Sequence, residues 1–216
     1  TGAVLDCYAD HPSVQVCREA DLGQSDALTK AFEQATGDVF CWLNSDDILF
    51  PGALSHVCDR FDREADTDVV YGDAAFIDEA GEVVGGFPTA HPSMERLMHR
   101  CVISQPSVFF RRSAYFSVGG LNPQRHFCLD YELWLKFARA GMRFERIPRL
   151  LSGTRLHDQT KTANGGLAFI REICVMQQEV VGHVSPVWEV YIESRSDVRP
   201  ELSPKWLRFS RAAARV

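Results

Sequence analysis

The stretch DVFCWLNSDDILFPGAL (residues 38–54) joins an apolar run of strand length to two adjacent carboxylates and a proline. An unbroken apolar run of this length predicts a strand that is covered on both faces, as in a parallel sheet. Asp46 and Asp47 come at the carboxyl end of this predicted strand, where α/β sheets bind their ligands. Two neighbouring carboxylates repel each other, so either open water or a bound cation must offset their charge. The stretch therefore indicates an α/β fold with a site at Asp46 and Asp47.

Strand patterns alternate with helix patterns along the rest of the chain. Strands are predicted at 13–19, 38–43 and 107–112, with a two-stranded hairpin at 68–87 and further strand material between 142 and 157. Helices are predicted over 23–37, from Pro51 to Phe61, over 129–141, and from Gly166 onward. Such alternation predicts an α/β layered fold in which helices flank a mostly parallel sheet.

Composition and charge exclude several functional classes. Of the 216 residues, 45% are hydrophobic and 24% are charged, which is the balance of a globular protein rather than a disordered one. The formal charge of −6 argues against a nucleic-acid partner, because phosphate backbones attract basic surfaces. The sequence has no apolar stretch of the length that a transmembrane helix requires. Seven cysteines without a Cys-x-x-Cys pair indicate scattered thiols in a reducing cytosol, so we expect a cytoplasmic protein.

The carboxylates after the first apolar run have two possible uses. Paired carboxylate oxygens on a turn suit Mg²⁺ or Mn²⁺, hard cations that also bind phosphate oxygens. Alternatively, the segment Asn44-Ser45-Asp46-Asp47 is a loop whose side chains cap the helix that begins near Pro51. The residues themselves leave both interpretations open.

Three stretches, in order, resemble family 2 glycosyltransferases of the GT-A fold. They are DLGQSDALTKAFEQATGDVFCWLNSDDILFPGAL (21–54), ISQPSVFFRRSAYFSVGGLNPQRHFCLDYELWLKFARAG (103–141) and RLHDQTKT (155–162). The resemblance covers residues 1–162 and implies a Rossmann-like GT-A domain there, followed by a helical extension over 163–216. Thr1 resembles the end of the family's first nucleotide-binding loop. The resemblance therefore implies a domain truncated at its amino terminus, which lacks its first strand or strands.

The resemblance also implies a reaction. Members transfer a sugar from a nucleotide-diphosphate sugar to an acceptor hydroxyl with inversion, and the acceptor is a saccharide or a lipid-linked sugar. Asp130 matches the family's catalytic base. Asn44-Ser45-Asp46 matches the family's Asp-x-Asp motif, with an amide in place of the first acid. This match implies Asp46 as a ligand of Mg²⁺ or Mn²⁺, with Asp47 as a second metal ligand. His157, in the third stretch, is a further candidate, either as a metal ligand or as a diphosphate contact, and the alternative is an ordinary surface or core histidine.

By the same resemblance, the donor contacts Asp21, Gly23, Gln24, Asn44, Ser45, Asp46 and Gln105. The turn at Asp21 and Gly23 precedes a helix, whose free N–H groups favour an anion. A non-catalytic nucleotide- or sugar-binding module with the same fold is the alternative, and the amide at Asn44 favours it.

Asp130 and two aromatic residues of the same predicted helix also have structural interpretations. Asp130 could simply cap the free N–H groups of the helix that follows. Trp134 and Phe137 lie on one face of that helix, and we expect them to pack in the core rather than stack on a sugar.

The last segment, SPKWLRFSRAAARV (203–216), reads as a basic amphipathic helix in an otherwise acidic chain. Such a helix can lie on an anionic membrane surface, which would bring the enzyme to lipid-borne acceptors at the inner face of the membrane. The alternative is a helix that packs on the domain through Trp206 and Phe209, with its basic face in water.

Overall fold

The computed structural model describes residues 2–156 and 165–193, in which helices cover both faces of one mixed sheet. The strands are β1 (Val39–Phe40), β2 (Ile48–Leu49), β3 (Val69–Ile77), β4 (Val83–Gly86), β5 (Val108–Arg111) and β6 (Phe144–Arg155). The helices are α1 (Gly2–Asp6), α2 (Gln24–Gln34), α3 (Ala53–Arg63), α4 (Met94–His99), α5 (Arg112–Ser117), α6 (Leu129–Arg139), α7 (Gly166–Val181) and α8 (Pro186–Glu193).

The sheet has the strand order β1-β5-β3-β6-β2, and β4 pairs with the far half of β3. β3 runs parallel to β6, from Val69 opposite Phe144 to Ile77 opposite Arg155. The other pairings among the described strands are antiparallel. The α/β class is therefore confirmed, but the expectation of a mostly parallel sheet is wrong. Strands covered by helices on both faces are apolar whatever their direction, so an apolar run does not show whether a strand pairs parallel or antiparallel.

The first apolar run folds differently from the prediction. Its strand, β1, is only two residues long and lies at the sheet edge, paired with β5. Leu43 is exposed, whereas Trp42 turns into the core and stacks on Trp134 at 5.8 Å between ring centroids. The predicted strand at 13–19 does not form, because that segment is largely exposed and has no sheet partner. The hairpin is confirmed as β3 and β4, and the strand at 107–112 is confirmed as β5.

The main core lies between the sheet and α2, α4, α6 and α7. Its aromatic centre includes Phe32, Phe40, Phe110, Trp134 and Phe137. Trp134 and Phe137 are fully buried, which confirms their predicted place in the core. On the opposite face of the sheet, a smaller core packs α3 against β3, β5 and β6, through Val57, Phe61, Val70, Phe109 and Leu151.

Helix α7 packs directly against α6. Ile173, Met176 and Val180 belong to the main core. The Gln177 side chain donates a hydrogen bond to the carbonyl of Met98 at 2.7 Å, and Trp188 of α8 donates to the same carbonyl at 3.0 Å. The helical pattern from Gly166 onward is thus confirmed as far as α8 extends. The domain division at residue 162 stays a prediction.

Two predicted features lie outside the described residues. They are His157 and the basic segment 203–216. Among the described helices, none combines the length and the apolar character needed to cross a bilayer.

Candidate active site

A cleft of about 1040 Å³ opens where the ends of β1 and β6 meet the beginning of α6. One part of its wall is polar and comprises Gln24, Asn44, Ser45, Asp46, Asp47 and Gln105. Another part is apolar and comprises Phe76, Phe87, Phe127, Leu156 and Phe169. Asp130 and Arg155 also line the cleft. Most of the predicted site residues in the described chain therefore face one space.

Asn44 is the centre of the polar wall. Its side-chain oxygen accepts a hydrogen bond from the Gln24 amide at 2.9 Å. Its side-chain nitrogen donates to the Gln105 carbonyl oxygen at 3.2 Å and to the Asp47 carboxylate at 3.1 Å. Gln105 is buried and donates in turn to the backbone carbonyl of Trp42 at 2.6 Å. An amide can donate and accept at once, and a carboxylate at position 44 could not donate to Gln105 and Asp47.

Asp47 ties the loop to the end of β6. Its Oδ1 accepts a hydrogen bond from the backbone N–H of Arg155 at 3.1 Å, while Oδ2 accepts from Asn44. The Arg155 guanidinium donates to the backbone carbonyls of Asp46 at 2.9 Å and Glu79 at 2.8 Å. Burial raises the pKa of Asp47, and the hydrogen bonds from Arg155 and Asn44 partly offset this effect. Asp47 therefore holds the loop in place, and both of its oxygens already have partners.

Asp46 is the better placed of the two acids for binding a ligand. It is partly exposed and lies on the wall of the cleft, whereas Asp47 is buried. Within residues 2–156 and 165–193, no three His, Cys, Asp or Glu side chains form a cluster that could hold a metal by themselves. A carboxylate such as Asp46 fits Mg²⁺ or Mn²⁺, since these ions commonly take one or two protein carboxylates and complete their shell with phosphates and water.

Asp130 is the second residue of α6 and lies on the same cleft wall. Burial raises the pKa of Asp130 to about 6, even though its own backbone N–H and that of Tyr131 stabilise the charged form. A carboxylate with this pKa is ionised at neutral pH and more basic than an ordinary aspartate. The site thus combines a basic carboxylate, a partly exposed acid and a set of amides in one cleft.

Residues 1–115 match the model of a protein family described as glycosyl transferase family 2. This match covers more than half of the chain. The chain belongs to glycosyl transferase family 2. The family match includes Asp46 and Gln105, whereas Asp130 lies beyond it.

Curated relatives and solved structures agree with this family assignment. Chondroitin synthase of Escherichia coli is 27% identical over 153 residues, which are 70% of this chain and 22% of that protein. An uncharacterised glycosyltransferase of Rickettsia typhi is 26% identical over 168 residues, which are 69% of this chain and 49% of that protein. The chain thus spans less than half of either relative. The structure of S. aureus TarS 1–349 in complex with UDP-GlcNAc superposes with a TM-score of 0.65 over 95% of this chain and 66% of that one, at 13% identity. This similarity shows the GT-A fold.

Not every residue predicted from the family resemblance reaches the cleft. Asp21 and Gly23 lie on the exposed turn before α2, where the Asp21 carboxylate accepts the Gly23 N–H at 3.0 Å. Neither residue lines the cleft as it is formed by the described part of the chain, so their contact with a donor stays a prediction. Gln24, the next residue, does line it.

The aromatic residues of the apolar wall were not predicted from the sequence. Phe76 belongs to β3 and Phe87 directly follows β4, with their ring centroids 5.9 Å apart. Phe127 precedes α6 and packs against Phe169 of α7, with 6.2 Å between the ring centroids. Single aromatic residues in separate elements carry no periodic signal, so no sequence pattern groups them. Arg155 was not predicted as a site residue either, although it begins the stretch 155–162 that resembles the family.

Proposed function

We propose that this chain carries the catalytic site of an inverting enzyme that transfers a sugar from a nucleotide-diphosphate donor to an acceptor hydroxyl. One observation carries the proposal: Asp130, a carboxylate made basic by burial, lines the same cleft as the acidic loop that contains Asp46. A base and a donor-binding loop that line one cleft are what a single displacement at the anomeric carbon requires.

In the proposed reaction, the acceptor hydroxyl gives its proton to the Asp130 carboxylate while its oxygen attacks the anomeric carbon. The bond between that carbon and the donor diphosphate breaks, and the nucleoside diphosphate leaves with the bonding electrons. Attack opposite the leaving group inverts the configuration of the anomeric carbon. Because the pKa of Asp130 is close to 6, the carboxylate is free to accept this proton at neutral pH.

The polar wall suits the donor. The amides of Gln24, Asn44 and Gln105 are held in fixed orientations by their mutual hydrogen bonds, and can present donors and acceptors to a sugar or a nucleotide without further ordering. The Asp46 carboxylate would hold Mg²⁺ or Mn²⁺, which supplies positive charge to stabilise the diphosphate. Asp47 and His157 are the further metal ligands in this proposal.

The acceptor is proposed to be a saccharide or a lipid-linked sugar. The chondroitin synthase of E. coli, among the relatives, supports a role in polysaccharide synthesis. Contact of the basic segment 203–216 with an anionic membrane, at its cytoplasmic face, would bring the cleft to a lipid-linked acceptor. Nucleic acid is not among the proposed partners, because the net charge of −6 would repel its phosphates.

A binding module without catalysis is the second candidate. The amide at Asn44, where the resemblance implies an acid, favours it. The network around Asn44 weakens this candidate, because the amide has a structural reason to be there: it donates to both Gln105 and Asp47.

The test is sugar transfer and donor hydrolysis by the whole protein, with UDP- and GDP-sugars, in the presence and absence of Mn²⁺. Asp130→Asn keeps the shape of the side chain but cannot accept a proton, so the rate should fall by roughly 100-fold or more with donor affinity retained. Asp46→Ala should abolish the Mn²⁺-dependent part of donor binding. Donor binding without turnover in the unmodified protein would favour the binding module, and full activity of Asp130→Asn would exclude Asp130 as the base.

A further inference from the structure

Glu172, in the middle of α7, binds the backbone that leads into α6. Its Oε1 accepts hydrogen bonds from the N–H groups of Phe127 at 2.7 Å and Cys128 at 2.8 Å. Its Oε2 accepts from the N–H of His126 at 2.9 Å. The Cys128 thiol also points to Oε1, at 3.2 Å. One carboxylate thus binds three consecutive backbone N–H groups just before the helix that carries Asp130.

These hydrogen bonds fix the backbone of residues 126–128, up to the residue that directly precedes α6. Of the N–H groups at a helix start, which lack partners within the helix, Glu172 binds that of Cys128, and the Cys128 side chain does not cap α6. Burial alone would raise the pKa of Glu172, but the three N–H groups hold that pKa below its usual value. Glu172 is therefore ionised at neutral pH, and its charge also suits the positive end of the α6 dipole.

The backbone that Glu172 holds is short and leads directly to the proposed base. Cys128 is buried, Leu129 is buried, and Asp130 follows on the cleft wall. One residue, Leu129, lies between Asp130 and Cys128, whose N–H group is the last that Glu172 binds. The position of the Asp130 carboxylate, half-buried and facing the cleft, thus depends on where α6 begins.

A second contact between α7 and the same segment provides a matched comparison. Glu179 lies two turns after Glu172 and forms an ion pair with Arg125, which also pairs with Glu132 of α6. Removal of the Glu179 charge would weaken the packing of α7 but leave the N–H groups of 126–128 bound. Substitutions at Glu172 and Glu179 therefore distinguish a local effect on the start of α6 from a general effect on the packing of α7.

We propose that Glu172 is a positioning residue for the reaction: its carboxylate fixes the start of α6 and so holds Asp130 on the cleft wall. The inference rests on the proposed function, in which Asp130 is the base. It assigns to α7 a part in the active site, although α7 lies beyond the stretches that resemble the family. Within the described part of the chain, the thiols of Cys101 and Cys128 interact electrostatically with Asp130, and Tyr131 is the next residue of α6.

The experiment compares Glu172→Gln with Glu179→Gln in the whole protein, by titration of the Asp130 carboxyl with carbon-13 NMR and by kcat as a function of pH. A glutamine at 172 has one acceptor oxygen, so at least one N–H loses its partner and the start of α6 loosens. Water then reaches Asp130, and we expect its titration midpoint to move from about 6 towards 3.8 by roughly one pH unit or more. The acid limb of kcat should move with it, and kcat at pH 7 should fall by about 10-fold with donor Kd unchanged.

Glu179→Gln should leave the midpoint where it is. An unchanged midpoint in Glu172→Gln, or an equal shift in both variants, would overturn the inference. If Glu172→Gln does not fold, Glu172→Asp, which keeps the charge but withdraws the carboxylate by one methylene group, should give the same shift. The titration needs no turnover, so it shows whether Glu172 holds Asp130 in place independently of the proposed function, whose own failure would appear as full activity of Asp130→Asn.

Discussion

Asp130 should make the folded protein less stable at neutral pH, because its charge is held in a poorly solvated place. Its pKa of about 6 in the folded protein compares with 3.8 for an unperturbed aspartate. Above pH 6 the carboxylate is charged in both the folded and the unfolded chain, and the difference between the two pKa values corresponds to about 3 kcal/mol against folding. Below pH 3.8 it is neutral in both states and this cost is absent. Asp130→Asn removes the charge at every pH.

We therefore expect Asp130→Asn to be more stable than the unmodified protein by about 3 kcal/mol at pH 8, and by less than about 1 kcal/mol at pH 4. Urea unfolding followed by circular dichroism across this range would measure both values. Asp26, in the first turn of α2, is the matched control: its hydrogen bond with Lys30 and that from the Leu22 N–H lower its pKa. Relative to the unmodified protein, Asp26→Asn should thus become less stable as pH rises. If Asp130 merely capped α6, Asp130→Asn would be the less stable protein at pH 8, and the argument from burial would be refuted.

Two further predictions concern the acidic loop and the basic segment. Asn44→Asp removes the donor to Gln105 and Asp47 and places a second carboxylate beside that of Asp47. The free energy of unfolding should therefore fall by about 1–3 kcal/mol at pH 8. It should partly recover at pH 5, where the two carboxylates can share a proton. Equal urea midpoints for the two proteins at pH 8 would contradict this. Removal of residues 203–216 should reduce co-sedimentation with vesicles that contain anionic lipid, and should leave binding to neutral vesicles unchanged. Equal sedimentation of both forms with anionic vesicles would eliminate the membrane role.

Much of the candidate site could be predicted because its residues sit in recognisable local patterns. Asp46 follows an apolar run, Asp130 opens an amphipathic helix, and Gln105 precedes a strand of buried residues. These three, which lie far apart in the sequence, share one cleft in the structure. The local patterns and the family resemblance were together sufficient to select them as candidates.

Features that depend on long-range geometry could not be predicted. Strand direction was misread because burial on both faces gives the same apolar run in parallel and antiparallel pairs, as β5 shows beside β3. Glu172 was not predicted either, because a glutamate in a helix usually faces water. Its partners are backbone N–H groups, which every residue but proline possesses, so no side-chain pattern marks them.

The parallel pairing of β3 with β6 has a consequence for the order in which the protein folds. β3 can pair with β4 as soon as a short turn closes, whereas its parallel partner arrives after an intervening segment of about seventy residues, with the larger entropy cost of a longer loop. The N–H that binds Asp47 belongs to Arg155, the last residue of β6. The acidic loop therefore reaches its final shape only when the most distant strand has docked. During native-state hydrogen exchange, loosening of that strand end would release the loop while the β3–β4 hairpin still holds its amide protons.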